Sequence, residues 1–440
     1  MKGLDKKPNI LFILADDLGW GDVSYHGSEI ETPTIDRLTA RGVELDQHYV
    51  CPLCTPSRTS LLTGEYPGRF GRHATVPSSQ PVLPDNYPTL ASILKENGYS
   101  TALFGKWHLG SDPEFFPGKY GFDYSYGSLA GGVDPYTHRY KSGPYSHTWH
   151  RNGELIEEKG HATDLITAEV ISWIKSRDED QPWFCYLPYT AVHTPIRAPE
   201  KWQNKYWLRN YDIDPARDSS FKSYAAYVSH LDSAVGKIVE SLKHLSLLEN
   251  TIIVFTSDNG AVTYNPSQDT IKYPGKYYDT PRLGSNYPLR GHKAQLYEGG
   301  IRTPAAIFWQ HQLQPTKIET PLYIADWLPT FVSLLDLDYN EEEKWDGIDI
   351  SSLLFASQMK LEERSIYWNL KEEEYAYRQG KWKLILDQNK NRELYNLDAD
   401  PEEEQNLASN HPEIVDNLFQ KILSEQKQDN RSVRSDIDKI

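Results

Sequence analysis

The sequence predicts an α/β protein with a large mixed β-sheet sandwiched by helices, and a smaller C-terminal α+β domain with an antiparallel sheet. Two apolar runs, within residues 9–17 (NILFILADD) and 251–260 (TIIVFTSDNG), are typical of strands that are covered on both faces. Segments with apolar residues at helical spacing lie between these two runs. Near residue 340, short β-rich pieces replace this alternation.

The first half of the chain alternates between strands and helices. The strand at 9–17 is followed by TPTIDRLTARG (32–42), which predicts a helix that ends at Gly42. The same reasoning predicts, in order, a helix at 88–98, a strand at 100–110, a helix at 162–176 and a strand at 182–195 that runs into a loop.

The second half contains a long amphipathic helix at 222–248, the strand at 251–260 and a loop at 262–290 that is rich in Tyr, Pro, Gly and Asn. A polar hinge, EEEKWDG, begins at residue 341, and three β-rich pieces and a last helix at 411–426 follow it. We therefore expect a large N-terminal domain at 1–340 and a smaller C-terminal domain at 341–440.

Composition limits the partners of this chain. The 440 residues carry a formal net charge of −16, which disfavours general binding to nucleic acid or to anionic membranes. No apolar stretch approaches the roughly 20 residues that cross a bilayer, and the start, MKGLDKKPNILFIL, is not a convincing signal peptide. An anionic substrate would have to be attracted by a local cluster of Lys, Arg and His.

Acidic and amide side chains close the two strongest strands. Asp16 and Asp17 end the first, and Asp258 and Asn259 end the second. Ligands of open α/β sheets collect beyond the carboxyl ends of the strands, and four oxygen-bearing side chains suit a hard cation, Ca²⁺ or, less well, Mg²⁺. Either pair alone reads more simply as a helix cap or a turn, but the two pairs together favour a cation site.

Basic residues lie in several segments next to Gly or Pro. Lys106 and His108 stand two apart in GKWHLG, His193 follows a strand in AVHTP, and Arg290 and Lys293 lie in LRGHKAQLYEGG. A lone His or Lys in a loop is more often solvated or structural. Because several such segments lie at strand ends, the alternative interpretation is that these residues together form a pocket for an anion.

The stretch CPLCTPSRTSLLTG (51–64) holds two of the three cysteines. Cys51 and Cys54 could be half of a zinc site, but only Cys185 is left to complete it, and no thioredoxin-like unit supports a redox pair. Arg58 follows Cys54 by four residues, and SLLTG reads as a helix whose N-terminus favours anion chemistry.

Residues 54–64 match Cys-x-Pro-Ser-Arg-x-x-x-Leu-Thr-Gly at every fixed position, and here the sequence resembles the formylglycine-dependent sulfatases of the alkaline-phosphatase superfamily. Other similar segments, in the family's order, are NILFILADDLGWGD, GYSTALFGKWHLG, AVHTP, TSDNG, LRGHKAQLYEGGIRTP and ELYNLDADPEEEQNLA. The resemblance covers nearly the whole chain and is strongest to the arylsulfatase B or N-acetylgalactosamine-4-sulfatase type.

The resemblance implies a cofactor set and a catalytic domain at residues 1–340. A separate maturation enzyme, formylglycine-generating or anaerobic, would oxidise Cys54 to formylglycine (3-oxoalanine), which hydrates to a geminal diol. Calcium would be held by the metal ligands Asp16, Asp17, Asp258, Asn259 and the modified Cys54.

The resemblance also implies roles for the basic residues. One diol oxygen would attack sulfur, His193 would protonate the departing alcohol, and His108 would take the proton of the second hydroxyl. Lys106, Lys293 and Arg58 would balance the charge during catalysis, and Arg58 would also orient the modified side chain. The expected substrate-binding residues are Lys106, His193, Lys293 and Arg290.

The expected function is hydrolysis of a sulfuric ester in a sulfated carbohydrate. The alternatives are a phosphonate or phosphate monoester hydrolase of the same superfamily, an arylsulfatase for small aryl sulfates, and a binding protein without activity. The aromatic residues in 120–150 could form a surface that binds a sugar, or they could only pack a long surface segment. From the resemblance alone, we expect a periplasmic or secreted protein.

Overall fold

The computed structural model describes residues 6–178, 180–263, 283–340, 344–355 and 363–434. In chain order, its strands are β1 (Asn9–Ala15), β2 (Val43–Leu45), β3 (His48–Tyr49), β4 (Ser100–Lys106), β5 (Tyr124–Ser128), β6 (Trp149–Arg151), β7 (Glu154–Leu155), β8 (Trp183–Pro188), β9 (Thr251–Ser257), β10 (Ala306–Trp309), β11 (Thr316–Ile318), β12 (Leu322–Tyr323), β13 (Ser365–Leu370), β14 (Glu374–Gln379), β15 (Trp382–Leu386) and β16 (Arg392–Asn396). Its α-helices are α1 (Pro33–Arg41), α2 (Cys54–Thr63), α3 (Leu90–Glu96), α4 (Ala162–Lys175), α5 (Glu200–Tyr206), α6 (Pro215–His244), α7 (Glu298–Ile301), α8 (Trp327–Leu335), α9 (Ser351–Phe355) and α10 (Pro412–Gln426).

Ten strands form one mixed sheet in the order β11-β2-β10-β9-β1-β8-β4-β5-β6-β7. In the centre of this sheet β1 pairs in parallel with both β8 and β9, and all seven of its residues are buried. Alternate side chains of β1 enter two hydrophobic cores, one against α4 and α6 and the other against α2, α3 and α8. This arrangement explains why the strand is apolar throughout rather than alternating.

A second sheet of four antiparallel strands, β13-β14-β15-β16, follows later in the chain, and α10 packs against it. The predicted fold class, a helix-flanked mixed sheet with a smaller antiparallel sheet, is therefore confirmed. The boundary at residues 340–341 stays a prediction. Most of the long loop predicted at 262–290 lies outside the described residues. Within the described part of the chain, no helix combines the length and apolarity needed to cross a bilayer.

Several predicted elements differ from the structure in their bounds by a few residues, and two of these differences bear on the site or on a helix cap. The long helix α6 begins at Pro215 rather than at 222, because Asp214 caps it by accepting hydrogen bonds from the backbone N–H groups of Ala216 and Arg217. The strand predicted at 100–110 ends at Lys106, and His108 follows in a left-handed conformation with φ of 58°.

The second sheet is attached to the first through buried charges. The Nζ atom of Lys383 in β15 lies 2.9 Å from an oxygen of Glu298 in α7 and 2.8 Å from an oxygen of Glu403, and all three side chains are fully buried. The backbone N–H of Glu298 donates to the other carboxylate oxygen of Glu403 at 2.6 Å. Buried carboxylates without a cationic partner would be strongly destabilising, so this lysine fixes α7 against the second sheet.

Replacing this lysine tests the attachment. We expect Lys383→Met to lower the unfolding midpoint by about 3–5 °C, since breaking a buried ion pair costs roughly 3–5 kcal/mol. The matched control is Lys317→Met, because Lys317 also contacts two carboxylates, of Glu44 and Asp46, but is 47% exposed. Its midpoint should move by less than about 1 °C. Equal shifts in calorimetric scans of the two variants would contradict the attachment.

Candidate active site

The acidic residues that follow β1 and β9 lie together at the carboxyl edge of the large sheet. The backbone N–H of Asp258 donates to the carbonyl of Ala15, and the N–H of Asp17 donates to Oδ1 of Asp258 at 3.2 Å. One ligand atom from each of Asp16, Asp17, Asp258 and Cys54 lies within 4.8 Å of every other, and all four residues are buried. The parallel pairing of β1 with β9 therefore creates the predicted cluster.

Cys54 is the first residue of α2, so its side chain lies at the positive end of that helix. Its Sγ atom is 3.6 Å from Oδ1 of Asp16, 4.0 Å from Oδ1 of Asp17 and 3.3 Å from Nζ of Lys293. Burial and the nearby carboxylate of Asp258 raise the pKa of the Cys54 thiol to about 12, although Lys106 lowers it. The unmodified thiol is therefore protonated at neutral pH.

Two lysines reach the same cluster. The Nζ atom of Lys106 donates to both carboxylate oxygens of Asp16 at 2.9 and 2.8 Å, and that of Lys293 donates to Oδ1 of Asp17 at 2.6 Å. Burial alone would lower the pKa of each lysine, but the carboxylates raise both, so that both ammonium groups stay charged.

The carboxylates respond differently to this environment. Burial raises the pKa of Asp16 above its ordinary value even though Lys106 lowers it. Burial would also raise the pKa of Asp17, but Lys293 and His193 outweigh it and hold that pKa below its ordinary value.

Arg58 supplies the third cation and is fully buried. Its Nε and Nη2 atoms donate to Oδ2 of Asp258 at 3.2 and 2.7 Å, and its Nη1 atom donates to the carbonyl of Lys106 at 2.7 Å. Arg58 lies one helical turn after Cys54, so the same helix brings both to the strand ends. The cluster thus pairs three carboxylates with three cations.

The two predicted catalytic histidines flank the cluster. His193 Nε2 is 3.8 Å from Oδ2 of Asp17, and its Nδ1–H donates to the carbonyl of Thr194 at 2.6 Å. Burial lowers the pKa of His193 to about 3, although Asp17 raises it. Burial, followed by the charges of Lys106 and Arg58, lowers the pKa of His108 well below its ordinary value.

Asn259 tests whether a cation fits this cluster. Its Nδ2 donates to Oδ1 of Asp17 at 2.8 Å, whereas its Oδ1 is buried and has no hydrogen-bond partner among the described residues. A buried oxygen without a partner beside three carboxylates is the donor set that a hard divalent cation prefers. Asp16, Asp17, Asp258, Asn259 and position 54 therefore fit a calcium or magnesium ion.

The side chain of Arg290 contacts the second sheet and the segment that follows it. Its Nη1 atom donates to the hydroxyl of Tyr395 at 2.9 Å and to the carbonyl of Glu403 at 2.8 Å, and its guanidinium stacks 3.9 Å from the ring centroid of Tyr297. These contacts hold the loop that carries Lys293 against the second sheet.

The other two thiols do not enter the cluster. Cys51 Sγ lies 2.9 Å from the hydroxyl of Tyr323, and Cys185 is buried in β8. The first sheet therefore offers no thiolate set for zinc around Cys54 within the described ranges.

Sequence reasoning did not single out two features of the surrounding loops. A Cβ atom at Gly131 would lie 2.1 Å from Nε2 of His108, so the backbone at 131 confines that imidazole. Arg197, four residues after His193, pairs with the buried carboxylate of Asp134. Neither residue lies in the segments that carry the resemblance, so no motif pointed to them.

The sequence model of the sulfatase family matches residues 8–337. The chain belongs to the sulfatase family. The predicted enzyme class, a sulfuric ester hydrolase, is confirmed with it.

Curated relatives agree with this assignment. The sulfatase is 38% identical to mouse arylsulfatase J over 356 residues, which cover 78% of this chain but 55% of that relative. It is 30% identical to the N-acetylgalactosamine-6-O-sulfatase of Bacteroides thetaiotaomicron over 502 residues, covering 95% of this chain and 93% of that relative. A crystal structure of Ps i-CgsB in complex with k-i-k-neocarrahexaose matches 98% of this chain and 95% of that chain, with a TM-score of 0.83 and 28% identity.

Adding a divalent cation tests the cluster directly. At a concentration of about 100 times its Kd, the cation should raise the unfolding midpoint of the sulfatase by roughly 3 °C, because it binds only the folded chain. In Asn259→Leu this rise should fall below about 1 °C, since the unpaired oxygen is lost.

The matched control for this measurement is Asn369→Leu. Asn369 is a buried asparagine whose Nδ2 also donates to a carboxylate at 2.8 Å, that of Asp429, far from the cluster in sequence. This variant should keep the full rise on addition of CaCl₂ in a thermal scan. An undiminished rise in Asn259→Leu would contradict the assignment.

Proposed function

We propose that this sulfatase removes sulfate from a sulfated carbohydrate, using Cys54 after its oxidation to formylglycine and a calcium ion held by the acidic cluster. The observation that carries the proposal is the place of Cys54, with its Sγ 3.6 Å from Asp16 and 3.3 Å from the ammonium of Lys293. The chain would need the formylglycine-generating or anaerobic maturation enzyme as a partner.

The environment of Cys54 argues against chemistry by the unmodified thiol. A thiol whose pKa is about 12 holds almost no thiolate at neutral pH, and the thiolate is the nucleophilic form. A sulfur nucleophile would also yield a thiosulfate ester with no internal means of release. Once oxidised and hydrated, position 54 would supply two hydroxyl groups on one carbon, and calcium would supply positive charge against the sulfate oxygens.

The basic residues would bind and neutralise the sulfate ester. Lys293 lies between Asp17 and Cys54, so its ammonium can also reach a group in front of position 54. Lys106 would add a second charge from the carboxyl end of β4, and Arg58 would hold Asp258 in place. Arg290, whose contacts are with the second sheet, would act on substrate only from the outer end of its side chain, which is 42% exposed.

The two histidines would move protons. His193 donates through Nδ1 to a carbonyl, which leaves Nε2 directed toward the cluster, and a bound anion would raise its pKa toward the range where it can protonate a leaving alcohol. His108 carries a buried Nδ1 without a partner among the described residues, and its lowered pKa keeps the imidazole neutral. A neutral imidazole with an available nitrogen suits a base.

Several observations support a carbohydrate rather than a small aryl sulfate. The names of two matched proteins refer to carbohydrates, an N-acetylgalactosamine-6-O-sulfatase and a structure with bound k-i-k-neocarrahexaose. Tyr136 exposes 40% of its surface on a loop next to His108 and could stack on a sugar. The likeness to N-acetylgalactosamine-4-sulfatase, and the periplasmic or secreted location, stay predictions.

Replacing Cys54 tests the proposal. Cys54→Ala should lower sulfate release from sulfated oligosaccharides by roughly 10³-fold or more, because the nucleophile is lost. Protein coexpressed with the maturation enzyme should show, by intact mass and peptide mapping, an aldehyde at position 54.

Cys51→Ala is the control, since it removes the neighbouring buried thiol and should preserve both the aldehyde and the activity. Full activity from a wild-type protein that retains an unmodified thiol would overturn the proposed nucleophile. Faster turnover of phosphonate or phosphate monoesters than of every sulfate ester would overturn the proposed substrate.

A further inference from the structure

Two loops border the histidines of the site, and an ion pair joins them. The first loop passes the ring of His108 at Gly131 and reaches Asp134 three residues later. The second carries His193 and reaches Arg197 four residues later. The Nη1 atom of Arg197 donates to both carboxylate oxygens of Asp134 at 3.1 and 2.9 Å.

The carboxylate of Asp134 is held by its own loop. Its side chain is fully buried, and its Oδ1 accepts hydrogen bonds from the backbone N–H groups of Tyr136 at 2.9 Å and Thr137 at 2.7 Å. The carbonyl of Arg197 also accepts a hydrogen bond from Nε2 of His161 at 3.0 Å. Both ends of the arginine are therefore fixed, which reduces the entropy lost when its guanidinium binds a ligand.

The side chain of Arg197 is partly exposed and lies beside an aromatic ring. Its guanidinium lies 4.9 Å from the ring centroid of Tyr136. The side chain of Arg197 is 41% exposed, and Tyr136 is 40% exposed. An oriented guanidinium beside an accessible aromatic ring is suited to an anionic sugar, because the guanidinium binds forked oxygen anions and the ring stacks on a sugar face.

The position of Arg197 relates it to the reaction site. The backbone N–H of Asp16 donates to the carbonyl of Ala191, and the N–H of Val192 donates to the carbonyl of Asp16. The second loop thus starts at the acidic cluster, and four residues carry the chain at most about 14 Å beyond His193. A sugar next to the one that is desulfated lies within this reach.

We propose that Arg197 and Tyr136 form a binding subsite for an anionic group, a sulfate ester or a carboxylate, on the sugar adjacent to the one whose sulfate is removed. This inference rests on the proposed function of the site. The Arg197 subsite, defined by these two residues, selects charged oligosaccharides over neutral neighbours and leaves the chemistry at position 54 unchanged.

Four sulfate esters test the subsite in the matured enzyme. They are a small aryl sulfate and three oligosaccharides that share one cleavable sulfate, with a neutral, a sulfated or a carboxylated neighbouring sugar. Arg197→Ala should lower kcat/KM about 10- to 100-fold on the sulfated or the carboxylated substrate, mainly through KM, because charge-assisted hydrogen bonds are lost. The other two substrates should change by less than about twofold, and Arg197→Lys should restore part of the loss.

Arg151→Ala is the matched control. Arg151 also pairs with carboxylates, of Glu158 and Glu169, stacks 5.0 Å from the ring centroid of Tyr126 and is 38% exposed, but it lies in β6. It should leave all four substrates unchanged. Thermal scans of each variant establish that the fold is intact.

The outcomes separate this inference from the proposed function. An equal loss on all four substrates, or no loss on either charged oligosaccharide, would overturn the subsite while sulfate release upholds the function. If the wild type releases sulfate from none of the four substrates, calorimetric titration with the charged oligosaccharides still tests whether the subsite binds them. Weaker binding to Arg197→Ala than to wild type supports the subsite, and equal or absent binding refutes it.

Discussion

Three carboxylates buried at the ends of two neighbouring parallel strands are the constraint on which the rest of this structure depends. Burying a charge without a partner is costly, so Asp16, Asp17 and Asp258 each require a cation nearby. Lys106, Lys293 and Arg58 meet this requirement from three different parts of the chain. Charge balance therefore brings a strand end, a helix and a distant loop to one point beside Cys54.

The architecture around this point keeps each contributor in place. β1 lies between β8 and β9, so Asp16 and Asp258 emerge side by side, while the loop after β8 is bonded to Asp16 and delivers His193. The second sheet acts from the other side. Lys383 pairs with Glu298 of α7 and with Glu403, and Tyr395 accepts a hydrogen bond from Arg290. Arg290 and α7 lie on either side of Lys293 in the sequence, so these contacts hold the loop that carries it. The smaller sheet thus contributes to the geometry of a site that lies at the edge of the larger one.

Much of this could be predicted from the sequence, and for identifiable reasons. Strands covered on both faces leave uninterrupted apolar runs, so the sequence predicts β1 and β9 and draws attention to the acidic residues that follow them. The fixed positions from Cys54 to Gly64 and the basic segments came from a resemblance, and the structure brings Lys106, His108, His193 and Lys293 around the acidic cluster. The positions of these four residues in the sequence, taken without the resemblance, would not have predicted that they lie around one cluster.

Other features depend on tertiary contacts that no local pattern records. The early start of α6 is an exception, because its signal, Asp214 before Pro215, is local. The contacts of Arg290 with the second sheet, the confinement of His108 by Gly131 and the pairing of Arg197 with Asp134 each join residues from separate segments. A glycine or an arginine in a loop carries no mark of such a partner, so these could be found only in three dimensions.

The most direct measurement of the central claim is a crystal structure of the matured protein grown with calcium, with anomalous scattering used to identify the ion. The account predicts a calcium ion bound only through oxygen atoms, among them those of Asp16, Asp17, Asp258 and Asn259, next to an oxidised side chain at position 54. A side chain at position 54 turned away from these carboxylates, or a zinc ion held by imidazoles, would contradict it.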